Sequence, residues 1–247
     1  SLREEDLLDL VALGTVADLA RLRSENRTLV RLGLERINAM ERLGIRALCR
    51  QAGLKPGAVD ATAIGYVLGP RINAAGRLAE AQTAYRLLTT SDPARAEELS
   101  VALDGLNRER QRLTHEAHDM ARQLVLASRD DGLVLFAAAS DFLPGIVGLV
   151  ASRLLDEFYR PTVVVEMGDR VSRGSCRSID GFHITRALDA CQDLLLRYGG
   201  HAAAAGFEVR NQDLEELAQR LRRIAAQQLR EEDLAPLLSV DAEVPLS

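Results

Sequence analysis

Residues 93–128 form an unbroken stretch of helical periodicity, and no other feature constrains the fold of this chain as strongly. Apolar residues recur there at steps of three and four, namely Ala96, Leu99, Ala102, Leu103, Leu106, Leu113, Ala117, Met120 and Leu124. At ~1.5 Å per residue such a helix is about 50 Å long, which is more than the core of one domain needs. We therefore expect a long helix that connects two bodies.

The residues before this helix predict further helices. An apolar run at residues 7–17 predicts a buried helix that either delivers Asp18 to a site or passes into a turn. Residues 24–39 predict an amphipathic helix. Residues 64–77 hold three glycines, an asparagine and two arginines, so they predict an irregular loop. Such a loop either approaches a ligand or is a plain turn with solvated arginines.

After Gly132 the period changes from helix to alternating strand and helix. A strand at residues 133–138, a helix at 144–158 and a strand at 161–166 predict a right-handed parallel crossover. The remaining expected elements are a strand at 172–177, a helix at 184–198, a strand at 204–209 and a helix at 214–229. Together they predict a compact α/β domain.

Two glycine-rich clusters, residues 174–183 and 199–207, flank the expected helix at 184–198. Glycine lets backbone amides approach a ligand closely, and serine, arginine and histidine add donors that suit phosphate oxygens. The side chains of this kind are Ser175, Arg177 and His201. The clusters form either an anion site or turns and helix caps without a ligand.

Composition and charge exclude some classes. The net charge of −5 argues against an overall basic nucleic-acid binder, and no apolar run approaches the ~18 residues of a membrane span. The three cysteines are widely spaced, without a Cys-x-x-Cys pair, which favours a reducing cytoplasm. His115 and His118 lie three residues apart, either as a metal-binding pair or on a solvated helix face beside Glu116 and Asp119.

The two glycine-rich clusters resemble the DHH-associated domain of the RecJ single-stranded-DNA exonucleases, in the DHH phosphoesterase superfamily. The similarity covers nearly the whole chain in order. Residues 13–18 resemble the fourth motif of the superfamily, and residues 24–27, 69–77 and 144–148 also resemble RecJ.

This resemblance implies a 5′-to-3′ exonuclease that acts on single-stranded DNA with Mn²⁺ or Mg²⁺, in recombination and repair. It implies that Asp18 is a catalytic metal ligand. It further implies that Arg71, Asn73 and Arg77 contact phosphates near the scissile bond, with Arg77 counted as catalytic. Ser175, Arg177 and His201 are expected to bind the substrate near its 5′ end.

The chain departs from the family because it contains neither an Asp-x-Asp motif nor Asp-His-His. One aspartate cannot hold a catalytic divalent ion, which needs several ligands. We therefore expect a carboxyl-side part of such a protein, inactive as a nuclease by itself. The expected divisions are the end of the DHH domain at 1–22, a helical connector with the Arg/Asn loop at 23–129, the DHH-associated domain at 130–232 and the start of an OB-fold at 233–247.

The expected partners are single-stranded DNA with a 5′ end and a helicase or single-strand-binding protein, with no membrane and a cytoplasmic location. One alternative is a DHH-type phosphodiesterase for oligoribonucleotides or cyclic dinucleotides, although such chains usually lack the long connector. The other is a non-catalytic nucleic-acid-binding module. An aromatic content of 4% without tryptophan argues against a stacking platform of that kind.

Overall fold

The computed structural model describes residues 3–128, 132–238, 240 and 242–244. The chain divides into two compact units, Ser1–Arg112 and Leu113–Ser247. Helix α7 (Pro93–Ala127) begins in the first unit and ends in the second, so the predicted long connecting helix is confirmed. No helix in the described ranges is long and apolar enough to cross a membrane.

The first unit is helical. Its elements before α7 are α1 (Leu8–Ala17), α2 (Ser24–Asn38), α3 (Leu43–Gln51), α4 (Ala61–Ala63), a π-helical segment (Ile64–Leu68), α5 (Gly69–Leu78) and α6 (Gln82–Thr89). One hydrophobic core joins them, with Leu13, Ile37, Leu48, Ile64 and Leu103 all buried. Because α1 and α2 share this core, the boundary expected after residue 22 falls inside the unit.

Two contacts fix α1, whose last turn carries Asp18. Gly33 of α2 lies against α1, since a Cβ there would stand 2.2 Å from the carbonyl oxygen of Leu8. Arg42 forms a bidentate ion pair with the buried Asp9, with Nε and Nη2 at 2.5 and 3.0 Å from the carboxylate oxygens. Bidentate pairs of this kind add orientation as well as energy.

The irregular loop predicted for residues 64–77 is wrong, because these residues are helical. Pro70 has no amide hydrogen, and its ring interferes with the carbonyl of the preceding turn. The π-helical segment lies directly before the turn that contains Pro70. Such segments often appear at functional sites. Gly69 then allows close packing, since a Cβ there would lie 2.9 Å from the oxygen of Ile64 and 3.3 Å from the Cβ of Ala17.

The second unit is an α/β domain with a five-stranded sheet of order β1-β2-β3-β5-β4. Its elements are β1 (Leu135–Ala139), α8 (Val147–Phe158), β2 (Thr162–Met167), β3 (Val171–Arg177), α9 (Ile184–Asp189), β4 (Leu195–Gly200), β5 (Ala204–Arg210) and α10 (Leu214–Gln228). β1 and β2 are parallel, as the predicted crossover requires, and the other pairs are antiparallel. The mixed α/β architecture is confirmed.

The helix predicted for residues 184–198 is wrong beyond Asp189. After a short 3₁₀ turn the chain becomes β4, which pairs with β5 and places Tyr198 opposite Phe207. The apolar residues that suggested one helix belong to different elements. Ile184 and Leu188 lie on the buried side of α9, whereas Leu195 is the first residue of β4. Pairing with β5 outweighs the local helical pattern, because it satisfies the backbone groups of β4. The two glycine-rich clusters therefore lie on neighbouring strands and not at two ends of a helix.

Other expected boundaries touch residues outside the described ranges. The division at 129/130 falls on such residues, as do positions 239, 241 and 245–247 of the expected OB-fold start. The domain divisions at 1–22, 23–129, 130–232 and 233–247 stay predictions.

Candidate nucleic-acid interface

Ser175 and Arg177 lie two residues apart on β3, so both side chains leave the same face of the sheet. The guanidinium of Arg177 donates from Nη1 to Ser175 Oγ at 3.2 Å and from Nε to Ser152 Oγ of α8 at 3.1 Å. It also donates to the carbonyl of Cys176 at 2.7 Å. Both residues are only partly buried, so this oriented group of donors is partly accessible to solvent.

The first turn of α8 lies directly beside this cluster, at Gly148. A Cβ on Gly148 would stand 3.0 Å from Arg177 Nη2 and 3.1 Å from Ser175 Oγ. Glycine therefore allows the helix start to approach the two side chains. The start of a helix carries a partial positive charge and favours anions. Hydroxyl, guanidinium and helix dipole thus combine in one place that suits a phosphate group.

His201 lies two strands away from Arg177, in the turn between β4 and β5. Its backbone N–H donates to the carbonyl of Ala204, the residue that pairs with Arg177 in the sheet. The imidazole is exposed, and Nδ1 accepts a hydrogen bond from the Ala203 amide at 3.4 Å. With strands ~4.8 Å apart, the backbones at His201 and Arg177 are about 10 Å apart.

The cysteines take no part in this chemistry. Cys49, Cys176 and Cys191 are free and buried. Desolvation by burial raises the pKa of the Cys176 thiol to about 12 although Arg177 is its neighbour, and burial raises the pKa of the other two to about 11. All three are therefore neutral structural thiols at physiological pH.

In the first unit, the structure brings Asp18 and Asn73 to one concavity of about 390 Å³. Its other lining residues are mostly apolar, with Leu10, Leu13, Ile72, Leu88 and the exposed Tyr85 among them. Asp18 is the exposed C-terminal cap of α1. A carboxylate at the negative end of a helix is electrostatically unfavourable unless a cation is near. This position therefore favours a positively charged ligand beside Asp18.

Arg71 is not among the residues that line that concavity. Its Nε donates to Asp104 Oδ1 at 2.9 Å and its Nη1 donates to the carbonyl of Val67 at 2.8 Å, with both side chains of the ion pair largely buried. Burial opposes ionisation of Asp104, but hydrogen bonds from Gln51 and Arg108 and the charge of Arg71 hold its pKa below the ordinary value. The predicted phosphate contact of Arg71 stays a prediction, and the structure adds a stabilising role within the unit.

Replacing Arg71 with alanine is expected to lower the free energy of unfolding by about 1–3 kcal/mol, since Asp104 would lose a buried charged partner. Arg108 pairs with the same carboxylate but is 70% exposed, so Arg108→Ala is the matched control with a smaller loss. Urea denaturation of the three proteins gives the comparison. Equal losses for the two variants would contradict the stabilising role of Arg71.

Arg77 lies on the exposed side of α5, one turn after Asn73. Residues four apart share a helix face, so these two side chains point in a similar direction. Desolvation lowers the pKa of the Arg77 guanidinium, which nevertheless remains charged at neutral pH.

The described residues do not form a metal site by themselves, since nowhere among them do three or more histidine, cysteine, aspartate or glutamate side chains converge. His115 and His118 instead meet carboxylates: His118 Nε2 lies 3.4 Å from Glu157 of α8, and His115 Nε2 lies 3.6 Å from Asp119. His118 is largely buried, so this pair does not lie on a fully solvated face. Asp18 likewise has no companion ligands within the described ranges.

The sequence did not identify Gly148 and Ser152 as functional. Gly148 lies in the motif at residues 144–148, which resembles RecJ, but the motif indicates no role for this glycine. Ser152 lies 25 residues from Arg177 in the sequence, so only the packing of α8 on β3 brings them together.

The chain is similar to known proteins. The family model described as DHHA1 domain matches residues 131–228. The single-stranded-DNA-specific exonuclease RecJ of Bacillus subtilis (strain 168) is 41% identical over 239 residues, covering 96% of this chain and 30% of that protein.

Solved structures give the same result. RecJ from Thermus thermophilus in complex with Mg²⁺ matches with a TM-score of 0.82 and 38% identity, over 91% of this chain and 35% of that one. An exonuclease RecJ bound to manganese matches with a TM-score of 0.75 and 37% identity, over 91% of this chain and 56% of that one. This chain thus spans well under two thirds of the relatives that it matches. It belongs to the RecJ family of the DHH phosphoesterase superfamily, as a carboxyl-side part that contains the DHHA1 domain.

Proposed function

We propose that this chain is the strand-binding part of a 5′-to-3′ single-stranded-DNA exonuclease of RecJ type, which acts with Mn²⁺ or Mg²⁺ in recombination and repair. The Bacillus relative is named as a single-stranded-DNA-specific exonuclease, and two RecJ structures hold Mg²⁺ and manganese. These names support the substrate and the metals. Asp18 contributes one carboxylate to a metal site whose other ligands lie outside this chain.

The observation that carries this proposal is the cluster of Ser175, Arg177 and the start of α8. Two serine hydroxyls accept hydrogen bonds from the partly buried guanidinium of Arg177, and the glycine at the start of α8 leaves room for it. An anion is attracted by the charged guanidinium fork and by the positive helix end together. We assign a phosphate near the 5′ end of the strand to this cluster, with His201 on its other side.

We propose that three side chains of the first unit contact the phosphates near the scissile bond, namely Arg71, Asn73 and Arg77. Asn73 is supported by its place beside Asp18, and Arg77 by the helix face that it shares with Asn73. We further propose a cytoplasmic protein that works with a helicase or single-strand-binding protein.

A double-mutant cycle on Arg177 and His201 tests whether one phosphate bridges them. Dissociation constants for a 5′-phosphorylated single-stranded oligonucleotide are measured at one salt concentration for wild type, Arg177→Ala, His201→Ala and the double variant. If both side chains hold the same phosphate, the double variant loses less binding free energy than the sum of the two single losses.

The matched control is the cycle of Arg177→Ala with Arg210→Ala, an exposed arginine at the far end of β5. That pair should be additive. Strict additivity for Arg177 with His201, or unchanged affinity for both single variants, would reduce the glycine-rich clusters to turn-forming structure.

A further inference from the structure

A second feature lies on the same face of the sheet as Ser175 and Arg177. In the sheet, Arg173 of β3 lies opposite Glu208 of β5, and Glu208 lies opposite Arg197 of β4. Directly paired residues share a face, so these three side chains form one row across three strands. The next row consists of Ser175, Gly206 and Gly199. Except for Ser175, the residues of the two rows border a concavity of about 430 Å³.

The two glycines of the second row have no internal reason to be glycine. Neither has a positive φ. A Cβ on Gly199 would meet nothing within 4 Å, and one on Gly206 would meet only the Gly174 oxygen at 3.6 Å, an ordinary contact. Glycine inside a strand weakens it and often marks the close approach of a ligand or another backbone. The missing side chains keep the floor of the concavity open.

Neighbouring glycines show the contrast. Gly174 is required because a Cβ would stand 2.1 Å from the Phe207 ring on the opposite face, and Gly200 because a Cβ would stand 2.3 Å from the Ala204 oxygen. Packing explains these two positions. It does not explain Gly199 and Gly206.

The charges at the rim indicate the ligand. Arg173 pairs with Glu208 at 3.2 Å, whereas the exposed Arg197 makes no hydrogen bond or ion pair with any described residue. Two guanidiniums and one carboxylate leave one positive charge, which matches the single negative charge of a phosphodiester. Arg173 and Arg177 are four residues apart on β3, about 14 Å, so these two arginines cannot hold the same phosphate.

We propose that this concavity binds a second phosphodiester of the single strand, with Arg197 and Arg173 as its donors and Gly199 and Gly206 admitting the sugar-phosphate backbone to the sheet. This inference rests on the proposed function, because it continues the strand from the phosphate at Arg177 across β5 to β4.

The test is a titration of single-stranded oligodeoxythymidylate with the 247-residue chain at several salt concentrations. Arg197→Ala should weaken binding about threefold to tenfold. It should also lower the slope of log K against log salt by about 0.7, the value for one phosphate on a single strand. Arg223→Ala is the matched control for net charge: it removes one exposed arginine from α10 and should leave the affinity unchanged.

Gly199→Val tests the floor separately. Valine fits a strand and finds open space there, so the melting temperature should stay equal to that of wild type or rise, while affinity falls as much as in Arg197→Ala. A purely structural role for Gly199 predicts the reverse, a loss of stability. Arg197→Ala, a surface change, keeps the test decisive if the valine variant folds poorly.

The outcomes separate this inference from the proposed function. If Arg177→Ala loses affinity but Arg197→Ala and Gly199→Val do not, the second phosphate site is wrong and the first stands. If wild type does not bind the oligonucleotide, or Arg177→Ala binds as wild type does, the proposed strand-binding function is wrong as well.

Discussion

Replacing Asp18 with alanine is expected to lower exonuclease turnover by orders of magnitude in a longer protein that carries this chain with the other DHH-superfamily metal ligands. The variant loses one metal-binding carboxylate, so the protein would bind less tightly the ion that polarises the phosphate. Stability should hardly change, because the exposed Asp18 side chain makes no hydrogen bond to a described residue and lies at the unfavourable end of α1.

The measurement combines turnover at several Mn²⁺ concentrations with thermal unfolding. Asp92→Ala is the control, since Asp92 caps the start of α7 by accepting a hydrogen bond from the Ala94 amide. That variant should lose stability and keep turnover, which is the opposite pattern. Near-normal turnover of Asp18→Ala at low Mn²⁺ would show that Asp18 is only a helix cap.

Arg177→Ala is expected to weaken binding of 5′-phosphorylated single-stranded DNA about tenfold or more, because a charge-assisted hydrogen bond contributes roughly 1.5–3 kcal/mol. Arg177→Lys should restore only part of the affinity, since an ammonium cannot reproduce the planar fork that reaches Ser152 and Ser175 together. Binding isotherms at fixed salt give both values.

The control for a general loss of structure is Ser152→Ala. It removes an internal partner of Arg177 but leaves the guanidinium in place, so its effect should be smaller than that of Arg177→Ala. If lysine supports full affinity at position 177, any positive charge is sufficient and the oriented fork is not the determinant.

Most elements of the fold were predictable because their signals are local. The period of α7 and the apolar runs of β1 and β2 lie within single segments, and their observed bounds are close to the expected ones. The two errors, at residues 64–77 and 184–198, arise where distant contacts decide. The packing of Gly69 against Ala17 favours helix in the first, and pairing with β5 favours strand in the second.

The candidate site was predictable in its residue types but not in its arrangement. Ser175 and Arg177 were predicted from motif and chemistry, yet the orientation of Arg177 by Ser152 depends on the packing of α8 on β3. Arg71 shows the converse, since its pattern suggested a phosphate contact while the fold pairs it with Asp104, 33 residues later. Spacing along the chain does not reveal which partner a side chain meets across the core.

We propose that this chain binds a single DNA strand but does not cut it, since no three metal-ligating side chains converge among its described residues. The most direct measurement is a titration of labelled, 5′-phosphorylated single-stranded DNA with the purified 247-residue chain in Mn²⁺, followed by sizing of the recovered oligonucleotide. We predict saturable binding, weakened by Arg177→Ala, and an oligonucleotide of unchanged length. EDTA-sensitive release of nucleotides, or the absence of binding by the wild-type chain, would contradict the account.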